Sequence, residues 1–244
     1  MTRFFFFQLN AIILNMRINK FLAQCNLGSR RKVEELIKNG EIVVNGKVCQ
    51  DLGTQINDGD YVKYNGKILR NNTSNIYIAL NKPKNYIVSR SDEFGRKTIY
   101  ELLPEKLHNL KYIGRLDYDS EGLLILTNDG DFANELTHPK YKLAKTYEVF
   151  VEGIINRDKI KALEKGIVIE RKKTLPAIVK VIKQNKNNAL LSITIYEGRK
   201  RQIRLMLQAV ECEVKSLIRV KIGNLDLGDI KLGKYKIIQK KDIL

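Results

Sequence analysis

Two Asn-Gly pairs, Asn45-Gly46 and Asn65-Gly66, constrain the opening part of this chain more than any other feature. Each splits a short apolar stretch, Ile42 to Val44 from Val48 and Tyr61 to Tyr64 from Ile68. Asn and Gly both accept φ > 0, as the central residues of a type I′ turn must, so each pair marks a tight β-hairpin. Hairpins this short are not stable alone in water and need a cover. The residues before them supply one. Ile18, Phe21, Leu22 and Cys25 follow the i, i+3, i+4, i+7 spacing of an amphipathic helix that Gly28 stops. Ser29 is a good N-cap for a second helix, with Val33, Leu36 and Ile37 on its inner face and Gly40 at C′. Two helices on a small sheet are expected over residues 16–69.

The first turn of that second helix holds Arg30, Arg31 and Lys32, where the helix dipole disfavours cations by about 0.3–1 kcal/mol each. A phosphate bound by the free amides, Ser29 and these side chains would offset the cost; a solvated basic turn would simply bear it. Arg17 and Lys20, on the preceding helix, extend the same patch. The whole chain is cationic, with 44 Lys and Arg against 27 Asp and Glu for a net charge of +17. A polyanionic partner is therefore expected, nucleic acid first. At 43% apolar and 29% charged, the composition excludes a disordered chain.

Cys25, Cys49 and Cys212 are odd in number and without CxxC spacing, which argues against a disulfide framework or a zinc site and for a reducing compartment. His108 and His138 are the only histidines, so a multi-histidine metal site is excluded and both read as surface or loop residues. Phe4 to Phe7 and Ala11 to Leu14 are apolar but are broken by Gln8 and Asn10. A spanning helix needs about 20 apolar residues, and a signal peptide would carry more charge than Arg3 and a small-residue cleavage site. Residues 1–15 thus read as a poorly ordered extension, with either Met1 or Met16 as the start. A cytoplasmic monomer without membrane contact is expected.

Residues 70–75, RNNTSN, are polar and turn-rich and read as a linker. Beyond them, strands are expected at Ile76 to Leu80, Ile87 to Ser89, Leu123 to Thr127, Thr146 to Val151, Ile167 to Ile169, Ala177 to Ile182 and Ala189 to Tyr196. Helices are expected at Ile99 to Leu103, Gly130 to Leu136, Arg157 to Lys165 and Arg199 to Val210. Residues 76–244 should form an α+β domain with a mostly antiparallel sheet. Within the cationic frame, residues 111–150 stand out with five basic and seven acidic side chains.

That local acidity centres on Gly114-Arg115-Leu116-Asp117-Tyr118-Asp119-Ser120-Glu121-Gly122, followed by an apolar run and Asn128-Asp129-Gly130. The spacing of Asp117, Asp119, Glu121 and Gly122 imitates a calcium loop. Position twelve, however, is Asn128 rather than a bidentate Glu, position nine is Ile125, and the flanks read as strands, so no metal is expected. A charged turn and a catalytic turn both remain open on spacing alone.

The stretch GRLDYDSEGLLILTNDG resembles the GRLDxxSxGLLLxTNDG signature of ribosomal RNA pseudouridine synthases of the RsuA/RluB type. Supporting blocks follow the family's order: LNKPKNYIVS, HPKYKLAKTYEV, EGRKRQIRLM and IRVKIGNLDLGDIKLGKYKII. The stretch from Arg17 to about Tyr64 likewise resembles the S4-type RNA-binding domain. The resemblance implies isomerisation of a uridine in RNA without a cofactor: C1′–N1 breaks, the uracil turns, and C5 joins C1′. It assigns the catalytic role to Asp117, as nucleophile at C1′ or as base at C2′. It makes Arg204 the cation paired with that carboxylate and Tyr147 the ring that stacks on the flipped base, against the bland reading of a core tyrosine. A stack is worth roughly 1–3 kcal/mol, comparable with the cost of extruding a base. Arg115 resembles an Arg that fills the gap left by that base, while Arg199, Lys200 and Arg201 read as phosphate contacts.

Three positions depart from the family pattern. Asn85 replaces a Gly in the KPxG turn, and Asn tolerates φ > 0 next best. Leu205 replaces an Arg, and Glu211 replaces a Gly after the helix. The implied partner is ribosomal RNA, the large subunit favoured, or a pre-ribosomal particle. Two other readings are a non-catalytic RNA-binding or ribosome-assembly protein, which would not require Asp117, Tyr147 and Arg204 together, and a metal-dependent nuclease on Asp117, Asp119 and Glu121.

Overall fold

A computed structural model describes residues 15–25, 27–70 and 74–244. All but one residue of the expected N-terminal extension, and residues 71–73 of the expected linker, lie outside these. The chain forms two compact units that divide between Ser74 and Asn75.

The first unit holds β1 (Met16–Arg17), α1 (Ile18–Gln24), α2 (Arg30–Lys38), β2 (Ile42–Val44), β3 (Lys47–Val48), β4 (Gln55–Ile56), β5 (Val62–Tyr64) and β6 (Lys67–Leu69). Both Asn-Gly pairs turn as their chemistry requires, with φ of 48° and 81° at Asn45-Gly46 and 47° and 74° at Asn65-Gly66. They close an antiparallel sheet of order β3-β2-β5-β6, while β1 pairs with β4. Ile18, Phe21 and Leu22 of α1 pack against Val33, Leu36 and Ile37 of α2 and against Ile42, Ile56 and Val62. The Ser29 hydroxyl caps α2 by accepting from the Lys32 amide at 3.2 Å, and Gly40, φ 72°, ends it.

The second unit is built on β7 (Tyr77–Lys82), β8 (Lys111–Ile113), β9 (Glu121–Thr127), α3 (Gly130–Thr137), β10 (Lys145–Glu152), α4 (Arg157–Lys165), the hairpin β11 (Val168–Ile169) and β12 (Lys172–Lys173), β13 (Ile178–Gln184), β14 (Asn188–Ile195), α5 (Gln202–Gln208), β15 (Glu213–Ile222), β16 (Leu225–Asp226) and β17 (Tyr235–Ile238). Its main sheet runs β13-β14-β10-β15-β9-β7-β17, with β16 on β15 and β8 on β9. The β15/β9 pair alone is parallel among these strands. The architecture is α+β.

Side chains alternate across a strand, and β7 and β9 divide accordingly. Ile78, Leu80, Leu124 and Leu126 join a core with Tyr147, Val149, Ile203, Met206 and Leu207. Tyr77, Ala79, Leu123 and Ile125 join another with Phe132, Leu136, Ile222 and Ile238. Thus α5 and α3 cover opposite faces of the sheet. Burial on both faces is why β9 reads as an unbroken apolar run.

Several expectations change. The strand expected at Ile87 to Ser89 is a single bridge, Ile87 to Thr98, and the helix expected from Ile99 is a 3-10 turn, Ile99–Leu102. The helix expected over Arg199 to Val210 shortens to Gln202–Gln208, because Arg201 takes a left-handed φ of 50°. Strand β15, ten residues long and central, was not foreseen. Lys215, Arg219 and Lys221 break its apolar pattern.

Candidate active site

The acidic turn bridges β8 and β9. Leu116 anchors it in the core, and the Ser120 amide donates to the Asp117 carbonyl at 3.1 Å, closing a tight bend at Tyr118-Asp119. Beneath the bend lies Lys82, the last residue of β7, fully buried. Its ammonium donates to the carbonyls of Pro83 at 2.9 Å, Asp117 at 3.1 Å and Ser120 at 2.8 Å. Three protons meet three acceptors, so the backbone on both sides of the bend is tied to one point. Burial pushes this ammonium down to about 8, against the upward pull of Glu121, Asp119 and Asp117. From above, the Asn85 amide donates to the Tyr118 carbonyl at 2.9 Å. Asn85 does so with φ 66°, the conformation for which Asn is the fit substitute for Gly.

The turn's three carboxylates have different surroundings. Glu121 faces Lys84 at 3.9 Å. Asp119 pairs with Arg204 at 3.1 Å and with Arg201 at 3.3 Å. The carboxylate of Asp117, a half-buried residue, accepts no hydrogen bond and forms no ion pair among the described residues.

This corrects the expected Arg204–Asp117 pair. The bend directs neighbouring carboxylates differently, and the one that meets α5 is Asp119. Arg204, its side chain only 13% exposed, also donates to the Asp119 carbonyl at 3.1 Å and the Val214 carbonyl at 3.3 Å. Its Nε is buried without a partner.

Tyr147 sits on β10 at 7% exposure, packed within the core beneath α5. Its cross-strand neighbour is Arg219 of β15, whose Cζ lies 6.0 Å from the ring centroid. Arg219 is also buried; it donates to Leu123 O at 2.7 Å and to Arg115 O at 3.5 Å, leaving Nη2 without a partner. Arg219 thereby joins the tyrosine to the acidic turn. Gly122 lets this happen: at φ 106° it pairs with Arg219, and any Cβ there would collide with the Arg219 backbone. Lys145, near Arg219, donates to Leu143 O at 2.8 Å, and burial with that neighbouring charge pushes it down to about 8.

The structure thus brings Asp117, Arg115, Arg201 and Arg204 to one turn and links Tyr147 to it through Arg219. Arg115, Lys200 and Arg201 are exposed. Arg199 is committed elsewhere: its guanidinium donates to Ile169 O at 2.6 Å and Lys172 O at 3.0 Å, bracing the β11–β12 hairpin, which departs from the phosphate contact expected of it. In the first unit Arg17, Arg30, Arg31 and Lys32 are exposed, and Lys20 is half-buried on α1. Sequence reasoning missed Lys82 and Arg219 as site residues, although both fall inside blocks that carried the resemblance. No cluster of His, Cys, Asp and Glu that could hold a metal occurs among the described residues, and no helix among them is long and apolar enough to cross a membrane.

An exposed basic helix start in one unit, and in the other a braced turn carrying an unpaired carboxylate, suit an RNA-modifying enzyme. Residues 76–209 match the family model of RNA pseudouridylate synthase, and residues 16–62 match the S4 domain. The chain belongs to the RNA pseudouridylate synthase family, enzymes that isomerise uridine to pseudouridine in RNA. It is 41% identical over 230 residues to the ribosomal large subunit pseudouridine synthase B of Bacillus subtilis, covering 93% of each chain. Similarity to the ribosomal small subunit pseudouridine synthase A of Vibrio parahaemolyticus is 33% over 232 residues, covering 93% of this chain and 98% of that one. A crystal structure of a pseudouridylate synthase superposes with a TM-score of 0.67 at 29% identity, over 93% of this chain and 98% of the other.

Proposed function

We propose that this enzyme isomerises one uridine in ribosomal RNA, of the large subunit by preference, using Asp117 as its catalytic residue and no cofactor. The observation that carries the reading is the isolation of the Asp117 carboxylate: of the three acidic side chains in the turn, it alone has no hydrogen bond or ion pair among the described residues. The large-subunit preference draws on the 41% identity to the Bacillus enzyme, against 33% for the small-subunit relative.

In the reaction the uridine leaves its stack and its sugar meets Asp117. The carboxylate either attacks C1′ or takes a proton from C2′, and N1 departs with the bonding electrons. The freed uracil turns and C5 bonds to C1′, displacing the carboxylate on the first route or with the proton returned to C2′ on the second; C5 then loses its proton to the carboxylate or to water, and N1 gains one. Arg201 and Arg204 hold the flank of the turn through Asp119. Tyr147 is the ring on which the everted base stacks, and Arg115 enters the space that base vacates. The exposed first turn of α2, with Arg17 and Lys20, docks RNA phosphates or a pre-ribosomal particle, and the enzyme works in the cytoplasm as a monomer.

The test is to map pseudouridine in ribosomal RNA treated with the wild-type chain and with Asp117→Asn. The variant should form none while binding RNA with nearly unchanged affinity. Retained turnover rejects Asp117, and RNA binding without any modified base in the wild type supports a non-catalytic RNA platform instead.

A further inference from the structure

Residues 88–97 form a loop that the chemistry above does not use. Its neck is clamped: Ile87 donates to Lys97 O at 2.9 Å, Ile99 donates to Ile87 O at 3.0 Å, and the Arg90 guanidinium reaches the carbonyls of His108, Asn109 and Leu110 at 2.8–3.1 Å. Its tip is folded around Asp92, which accepts from the amides of Phe94 and Arg96 and pairs with the Arg96 guanidinium at 2.6 Å. Arg96 in turn lies 5.2 Å from the centroid of Phe94. The result is a braced finger whose tip displays a phenyl ring at 81% exposure. An ordinary loop tip carries small polar residues. This one spends an aspartate and an arginine on holding an aromatic ring in water.

Beside the finger is an open cleft of about 620 Å³, lined by Lys84, Asn85, Tyr86, Arg96, Lys97 and Tyr118, within the usual range of roughly 300–1,000 Å³ for ligand sites. Its walls alternate rings and cations. Lys97 lies 5.9 Å from the Tyr86 centroid, Lys84 has among the described residues only the long contact to Glu121, and Tyr118 is 44% exposed. The location is informative, because Tyr118 follows Asp117 directly and its carbonyl is tied to Asn85 on the cleft wall.

We infer that the Phe94 finger and the adjoining cleft form a second nucleotide subsite, which holds an unpaired nucleotide flanking the target uridine, its base stacked on an exposed ring and its phosphate at Lys84 and Lys97. This rests on the proposed RNA reaction at Asp117. Aromatic rings interleaved with cations suit a single-stranded nucleotide, since every base offers a face to stack and every linkage a charge. The subsite holds the strand beside the extruded base, so it acts on substrate binding rather than on the chemical step.

The experiment uses the full chain and an unmodified ribosomal RNA transcript in which the wild type has been found to form pseudouridine. In copies of the modified stem-loop, each of the three nucleotides on either side of the target is replaced in turn by 2-aminopurine. One flanking position should be quenched by the wild type and brighten with Phe94→Ala, while Phe94→Trp quenches it again. KM should rise about tenfold for Phe94→Ala, the scale of one lost stack, with kcat unchanged. Lys84→Ala and Lys97→Ala should each lower the slope of log affinity against log salt by about 0.7, one phosphate contact on a single strand. If the wild type turns over normally while all three variants match it in emission, KM and salt slope, the subsite is refuted and the reaction stands. If Asp117→Asn retains turnover on this transcript, the reading at Asp117 falls and takes the subsite with it. A Phe94→Ala defect seen only on assembled particles, and never on naked RNA, identifies a protein occupant and overturns the RNA assignment.

Discussion

The ammonium of Lys82 lies 3.1 Å from the backbone carbonyl of Asp117, directly under the residue whose own carboxylate has no partner. Lys82 therefore makes no hydrogen bond to the carboxylate of the proposed catalytic residue, but holds the peptide on which it stands.

Replacing Lys82 with Met should take a donor from three carbonyls, of which Asp117 keeps the Ser120 amide while those of Pro83 and Ser120 lose the ammonium outright, each loss worth roughly 1–3 kcal/mol when buried. We expect a fall in kcat of at least about a hundredfold, little change in KM, and a lower melting temperature. The pH dependence separates the two roles. Below pH 8 the lysine is charged in both folded and unfolded chains, and folding bears the cost of its burial. Between about 8 and the unfolded value of 10.5 only the unfolded chain keeps the proton, so this group's contribution to stability rises with pH. Turnover should fall over the same range as the turn loses a donor. Denaturant melts and rates measured from pH 7 to 10, compared with Lys82→Met, check both, and a stability difference independent of pH argues against the shift.

Arg204 and Asp119 should be energetically coupled, and Arg204 and Asp117 should not. In double-mutant cycles on stability, Arg204→Ala with Asp119→Asn is expected to show about 1 kcal/mol of interaction, the other pair under half of that. A reversed order would restore the pairing that the family resemblance implied.

Gly122→Ala puts a methyl group into the backbone of Arg219 and forces a residue with a side chain to hold φ 106°. Strain of this kind costs of order 1–3 kcal/mol, and the clash adds to it. We expect a loss of at least about 2 kcal/mol in urea melts and a larger loss of activity, because the same contact aligns Tyr147 and Arg115 through Arg219.

Glu211 holds a left-handed φ of 57° just past α5. Its only ion pair among the described residues is to Lys159 at 3.7 Å with a side chain 90% exposed, a contact worth little. Glu211→Gly should therefore stabilise the enzyme by about 0.5–1 kcal/mol without altering kcat, as read from chemical denaturation and steady-state rates.

Local signals were legible in the sequence where the physics is local. The Asn-Gly turns, the Ser29 cap, the Gly40 stop and the φ > 0 at Asn85 each depend on a few adjacent atoms, and each is present. Strand β15 was hidden because its lysines and arginine break the apolar alternation, although one of them, Arg219, points inward. Lys82 was invisible as a brace because its three acceptors lie at 83, 117 and 120, and only the folded turn brings them together. The same bend explains Arg204: two residues along a tight turn reverse a side chain's direction, which the motif alone does not encode.

Asp119 absorbs the positive charge arriving from α5, and so among the described residues no hydrogen bond or ion pair has to be surrendered at the Asp117 carboxylate in the reaction proposed for it. The resting enzyme is in this respect already prepared for its substrate. On the reaction proposed at Asp117, RNA binding need supply only the work of everting a base, since none is required to liberate the carboxylate.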